Sequence, residues 1–372
     1  MKKRIFVLFV FLGLIVVNPP AWAQERKPSF NCGLRIVDLT YEYPDGAEER
    51  LATAIWYPSD AAEEPYRYSA AGEGKYFESR VALDAPLAKS RVPYPLVIYS
   101  HGLYGSGSSS AFFMEYLARS GYIAAAPDYT DTLPPGYKEQ AAFVRLKEGN
   151  IMSVAEGLMT AKQLADYMNL ERGYFLAYLA KYRLNQISFT LDKMLEMNAD
   201  PGSFLYGSIM EDAIGMCGHS LGGTAALGKV GAYPAGEFKD GRIKAALILS
   251  SPAYPFEETA SNIGVPVMFM AGDNDEPGLR PDIPRKTLFD QAGPPKFYLV
   301  VLKGTHYSFT NSVCGTAELF QAIERVPQAR AITQYGLAFF DRYLLNDLSA
   351  GKWIKESALP LAQFIYHDIG RE

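Results

Sequence analysis

The stretch GHSLGG, Gly218 to Gly223, follows the short apolar run AIGMC at 213–217. A serine flanked two residues away on each side by glycine, directly after a strand, marks a sharp strand-to-helix turn. That turn lifts the hydroxyl clear of the end of a sheet. The glycines let the chain reverse tightly and let the helix pack close against the strand. If this reading holds, the rest of the chain must supply a largely parallel sheet around AIGMC.

Working outward, the same grammar repeats. Downstream come KAALILSS from Lys244, PVMFMAG from Pro266 and KFYLVVLKG from Lys296. Upstream lie YPLVIYSHG, 94–102, then a helix candidate at 111–120, then YIAAAPDY, 122–129. Each run is short, apolar and bounded by turn residues, as strands buried on both faces are. Strand, helix and strand in succession predict right-handed crossovers with helices on both faces. GLRIVDLTYEYP and LATAIWYPS near the start alternate and read as two strands of a meander, followed by a polar stretch read as irregular to about Val92. A last helix over 330–346 carries Ile332, Leu337, Phe340, Tyr343 and Leu344 on one face. The fold class is α/β, a mostly parallel central sheet in one domain over 24–372.

One interval is too long for that plan. Ala126 and Ser220 are 94 residues apart, where a one-helix crossover takes roughly 30 to 40. Leu184, Ile187, Leu191 and Met194 supply the expected helix, closed by ADPG. The remainder, 133–182, is a helical insertion: Ile151, Val154, Ala155, Leu158, Ala165 and Met168 keep helical spacing, with Tyr174, Phe175, Tyr178 and Tyr182 adding aromatic mass. It leaves from the carboxyl end of a strand, where sites of such folds lie, which predicts a lid or pocket wall rather than plain extra core.

A serine hydroxyl is a weak nucleophile, needing a base that is itself oriented by a third group. The chain has four histidines: His101, His219, His306 and His367, the last read as lying near an irregular C-terminus. In a strand-by-strand order of serine, acid and histidine, only His306, in VVLKGTHYSF just beyond a strand, fits the base. His219 adjoins Ser220, so its ring is expected to point elsewhere, and His101 reads as structural. The acid should end the strand before His306, where AGDNDE offers Asp273 and Asp275; motif position favours Asp275. LILSSPAYP, after the strand before that, holds no acid. A tetrahedral oxyanion needs preorganised N–H donors. Leu221 follows the serine, and Leu103 follows Gly102 in YSHGLYG. Tyr104 and Tyr254 stand nearby in sequence as apolar substrate contacts.

YSHGLYGSG, GHSLGG, AGDND and GTHYSF, with AIWYP near the start, resemble the dienelactone-hydrolase-like branch of the α/β-hydrolases, which includes relatives of platelet-activating factor acetylhydrolase and cutinase-like polyester hydrolases. The resemblance covers most of 24–372. It implies a catalytic triad of Ser220, Asp275 and His306, an oxyanion hole at Leu103 and Leu221, and no cofactor. The chain departs from these relatives in three ways. Plasma-type acetylhydrolases take their acid one strand earlier, where LSSPAYP has none. Dienelactone hydrolase itself uses a cysteine where Ser220 stands. The polyester hydrolases lack so large an insertion. The expected activity is a serine esterase acting on a lipid-like or other apolar acyl ester; a peptidase or amidase on the same triad, or a non-catalytic binder on the same fold, are the alternatives.

The remaining features set the setting. Lys2, Lys3 and Arg4 precede an apolar run from Ile5 to Val17 and then Ala21-Trp22-Ala23. This is the layout of a signal peptide at 1–23, too short to span a bilayer comfortably, and it predicts export. Cleavage would take the formal charge from −5 to −8. An acidic chain without basic blocks argues against nucleic acid as a partner, and no later run is long enough for a membrane span. A 48% hydrophobic composition can fill a large core. No metal-binding spacing occurs. Cys32, Cys217 and Cys314 are the cysteines; with Cys217 in a buried strand, export would permit a Cys32–Cys314 disulfide.

Overall fold

The computed structural model describes residues 28–69, 76–103, 105–129, 172–275, 284–357 and 359–367. The segment 1–23 read as a signal peptide, Tyr104 and positions 133–171 of the expected insertion lie outside the described residues. Eleven strands form one sheet: β1 (Asn31–Glu42), β2 (Glu48–Ser59), β3 (Glu64–Ser69), β4 (Tyr76–Leu83), β5 (Tyr94–Ser100), β6 (Ile123–Pro127), β7 (Ile209–His219), β8 (Ile243–Leu249), β9 (Val267–Gly272), β10 (Lys296–Val301) and β11 (Leu361–His367). Their spatial order is β11-β10-β9-β8-β7-β5-β6-β2-β1-β4-β3. From β6 through β10 every neighbouring pair is parallel, and β2 joins β6 antiparallel.

The run YPLVIYS shows why the centre is parallel and buried. Val97 and Tyr99 enter one apolar cluster, Leu96 and Ile98 the other, so both faces of β5 need cover. On the Val97 face lie α1 (Ala111–Arg119), α6 (Leu319–Arg325), α7 (Pro327–Leu344) and α8 (Leu348–Glu356). On the Leu96 face lie α2 (Arg172–Leu179), α3 (Asn185–Ala199), α4 (Leu221–Leu227) and α5 (Pro284–Gln291). Ile332, Leu337, Phe340 and Leu344 of α7 are buried, as their spacing predicts. So are Leu184, Ile187, Leu191 and Met194, and Asp200 ends that helix. Between α2 and α3 the chain makes a π-helical turn, Ala180–Leu184, without leaving the helix axis.

Two expectations fail at the sheet edges. The polar stretch before Val92 contains β3 and β4, an antiparallel pair that joins β1 through Gly33 and Leu34. EPYRYS and YFESRVAL interleave charges with aromatics, so no apolar run announces them. His367, read as lying near an irregular C-terminus, ends β11, which pairs with β10.

The β3–β4 hairpin is fastened to α1 by a buried polar cluster. Glu115 of α1, fully buried, accepts from Ser79 Oγ at 2.7 Å and Tyr68 Oη at 2.8 Å; Trp56 Nε1 donates to Tyr68 Oη at 2.9 Å. Arg119 pairs with Glu63 and stands 3.6 Å from Glu115. Burial pushes the Glu115 carboxyl up to about 7, opposed by Arg119 and by the hydroxyl donors.

The expected Cys32–Cys314 bridge is not formed: Cys32, Cys217 and Cys314 are buried free thiols. Cys32 Sγ is directed to Gly33 O at 3.5 Å and Cys314 Sγ to Leu319 O at 3.9 Å, so each thiol is satisfied within its own segment. No described helix is long and apolar enough to cross a membrane.

Candidate active site

The chain leaves β7 at His219 and enters α4 at Leu221, with Ser220 between them at φ 53° and ψ −121°. This conformation is uncommon for a residue with a side chain and marks stored strain. The neighbouring glycines make it possible. A methyl group at Gly218 would strike the backbone of Gly222, and one at Gly222 would strike the carbonyl of Ser100 on β5. The Ser220 N–H extends the parallel ladder to Leu249 O at 2.9 Å, while Thr224 N–H returns to Ser220 O at 3.1 Å and starts the helix. Leu221 therefore sits in the first turn of α4, where backbone N–H groups lack helical acceptors.

Beside the serine runs the loop after β5. A Cβ on Gly102 would lie 3.3 Å from Ser220 Cβ and 3.2 Å from His219 Nδ1, a tight approach that glycine relieves. Gly105 N–H bonds Gly102 O at 3.0 Å, and Leu103 takes the first central position of that turn. His101 is buried beneath it. Tyr129 N–H donates to His101 Nε2 at 3.0 Å, which leaves Nδ1–H to donate to Gly102 O at 2.8 Å. Burial, then the nearby Arg183 charge, hold this imidazole neutral, well below its ordinary pKa.

Arg183 comes from the π-helical turn and is fully buried. Its guanidinium donates to His101 O at 2.8 Å and Ser100 Oγ at 3.2 Å, approaches Gly102 O at 3.5 Å, and lies 4.4 Å from the Tyr129 ring centre. The helix leaving the insertion thus grips the Gly102 loop. Sequence reading passed over Arg183 because a single arginine in a helical pattern reads as surface.

The acid and the imidazole come from the ends of β9 and β10. Asp275, buried, places Oδ1 3.3 Å from His306 Nδ1; Asp273 makes no hydrogen bond or ion pair with the ring. Gly272 and Gly304 let the two turns touch, and Asn274 N–H bonds Gly304 O at 2.8 Å. Ser250, directly after β8, reaches both partners: its hydroxyl donates to Asp275 Oδ2 at 2.6 Å and lies 3.0 Å from His306 Nδ1. LILSSPAYP holds no carboxylate, and a serine in it carries no sequence signal of its own. His219 turns toward the base: Nε2 lies 3.0 Å from His306 O, with the two ring centres 4.7 Å apart. The loop carrying His306 is tied to the serine-rich loop before α1, where Asn311 Nδ2 donates to Ser108 O at 2.8 Å and Ser110 Oγ to Phe309 O at 2.7 Å.

Ser220, half-buried, makes no hydrogen bond to His306 among the described residues. Tyr254 lies half-buried in the loop after β8, 5.5 Å ring to ring from Phe175 of α2. Tyr307, next to His306, is 60% exposed with its ring edge-on to the imidazole. No three His, Cys, Asp or Glu side chains among the described residues group to hold a metal ion.

The parallel run from β6 to β10, a strained serine turn directly after β7, and an acid and a histidine beyond the ends of β9 and β10 make up the architecture. The fold is that of the α/β-hydrolases. Among solved structures, a ferulic acid esterase from Streptomyces cinnamoneus is similar at a TM-score of 0.57 and 22% identity, over 85% of this chain and 91% of that one. No family model matches the chain, and no curated protein matches it.

Proposed function

We propose that this α/β-hydrolase-fold protein cleaves carboxylic esters through Ser220, His306 and Asp275. The observation that carries the reading is the buried Asp275–His306 pair, presented by adjacent strand ends beside the strained Ser220 turn. Ser220 Oγ attacks the ester carbonyl carbon while His306 Nε2 takes its proton. Leu221 and Leu103 N–H groups receive the developing oxyanion. The C–O bond to the alcohol then breaks, and His306 returns the proton to the departing alcohol. Water repeats the sequence on the acyl-enzyme, giving up its proton to His306 and releasing the acid with Ser220 restored.

The substrate class is an apolar or aromatic acyl ester. Half-buried Tyr254 in the loop after β8 and exposed Tyr307 beside His306 offer aromatic surface past the strand ends, and the Streptomyces neighbour is described as a ferulic acid esterase. The leading segment, 1–23, would direct export with cleavage after Ala23. The test is turnover of p-nitrophenyl esters from acetyl to palmitoyl, of methyl ferulate and of a p-nitroanilide, beside Ser220→Ala. Ester turnover that Ser220→Ala lowers at least about 10³-fold is expected. Turnover of the anilide alone, or of nothing, would overturn the proposal.

A further inference from the structure

We infer that Ser250 is a positioning residue of this site, a hydroxyl that couples the Asp275 carboxylate to the His306 ring and fixes which ring nitrogen carries the proton. The inference rests on the hydrolytic reading above and adds a fourth member to it.

Its place follows from the sheet. β8 lies between β7, which leads into Ser220, and β9, which leads to Asp275. The first residue past β8 therefore emerges between nucleophile and acid. There the chain takes φ 46° at Ser250, in the left-handed region that residues with a side chain enter only at a cost. The Ser250 N–H bonds Met270 O at 2.7 Å across the ladder, which holds the residue in that conformation. Ser250 is fully buried, so the strain directs its hydroxyl inward, toward the acid and the ring.

The donor count fixes the direction of the bonds. A hydroxyl has one proton and two lone pairs, and an ionised carboxylate only accepts. The Ser250 proton goes to Asp275 Oδ2 at 2.6 Å, so toward His306 Nδ1, at 3.0 Å, the hydroxyl can only accept. Nδ1 must then carry the hydrogen, leaving Nε2 as the lone-pair nitrogen that a base requires. The direct Asp275 Oδ1 contact to Nδ1, at 3.3 Å, is longer than a charge-assisted bond of about 2.7–2.9 Å. Ser250 Oγ is thus the nearer of the two acceptors that face Nδ1.

The experiment uses the full chain. Ser250→Ala, Ser250→Gly, Asp275→Asn and the Ser250→Ala/Asp275→Asn pair are compared with wild type in ester turnover and in the downfield proton spectrum of histidine-labelled protein, with four histidines to assign. Glycine accepts φ 46° with less strain, so it removes the hydroxyl even where alanine disturbs folding. Loss of the hydroxyl is expected to lower kcat about 10- to 100-fold with KM within about threefold. The His306 Nδ1–H resonance should move or broaden, and the double variant should be no slower than about threefold below Asp275→Asn alone. An unmoved resonance with kcat within about twofold of wild type overturns the inference, as does a double variant whose losses multiply. Absence of serine-dependent turnover in the wild type would sink the hydrolytic reading instead, while the resonance still decides whether Ser250 holds the ring.

Discussion

Two buried polar clusters flank the same sheet, and they differ in how their side chains are held. Around His306, Ser220 and Ser250 sit at positive φ, glycines press backbone against backbone, and Ser220 keeps part of its surface open. Around Glu115, every partner comes from regular strand or helix: Tyr68 of β3, Ser79 of β4, Trp56 of β2 and Arg119 of α1. Both clusters bury charge at a cost that only full pairing offsets. The contrast teaches that buried charge alone marks a fastening, whereas buried charge with strained backbone and an open edge marks a place for chemistry.

The sharpest way to break this contrast is at the acid. Asp275→Asn should lower kcat about 10³- to 10⁴-fold, because an amide can present the wrong group to Nδ1, while Asp273→Asn should stay within a few-fold of wild type. Steady-state kinetics on the two variants decides it, and the reverse ranking would move the acid.

A smaller effect is expected where Arg183 grips the Gly102 loop, the proposed oxyanion loop. Arg183→Met keeps much of the side chain's length and removes the bonds to His101 O and Ser100 Oγ. It should cost about 10- to 100-fold in kcat with little change in KM, since a displaced N–H donor is missed chiefly in the transition state. A loss confined to thermal stability would reclassify Arg183 as a fastening like Glu115.

The smallest effect on turnover belongs to the other cluster. Glu115→Gln should leave kcat within about twofold but change how stability follows pH. The folded carboxyl, at about 7, lies above its ordinary 4.5, so the folded protein holds that proton more tightly than the unfolded chain. Its contribution is complete below about pH 4.5 and is lost as pH rises through 7, a difference on the order of 3 kcal/mol. Melting curves between pH 5 and pH 8 should therefore fall more steeply for wild type than for Glu115→Gln. Parallel curves would show that Glu115 stays ionised throughout.

What could be read from the sequence divides along the same contrast. The apolar runs around β5 to β10 announce themselves because both faces are covered, and GHSLGG and GTHYSF are legible because glycine spacing records backbone collisions. The choice of Asp275 rested on motif position, and the structure places that carboxylate against the ring. Ser250, His219 and Arg183 were not legible as site residues. Serine, histidine and arginine have many commonplace uses, and what singles these out is distance across strands that are far apart in the chain. β3 and β4 were missed because an edge strand need not be apolar, and their partner Glu115 looks like an ordinary surface residue of a helix until the hairpin covers it.

The seam between β5 and β7 has a further consequence. Leu96 lies beside Ile214 and Ser100 beside Gly218, yet the chain between those strands passes through the whole of the insertion. The first half of the sheet carries the Gly102 loop, and the second carries Ser220, Asp275 and His306, so under the proposed function neither half holds every residue of the reaction. A polypeptide cut within 130–171 would yield two pieces whose reunion along this seam restores both the ladder and the oxyanion loop. Catalysis would then report directly on reassembly of the two halves.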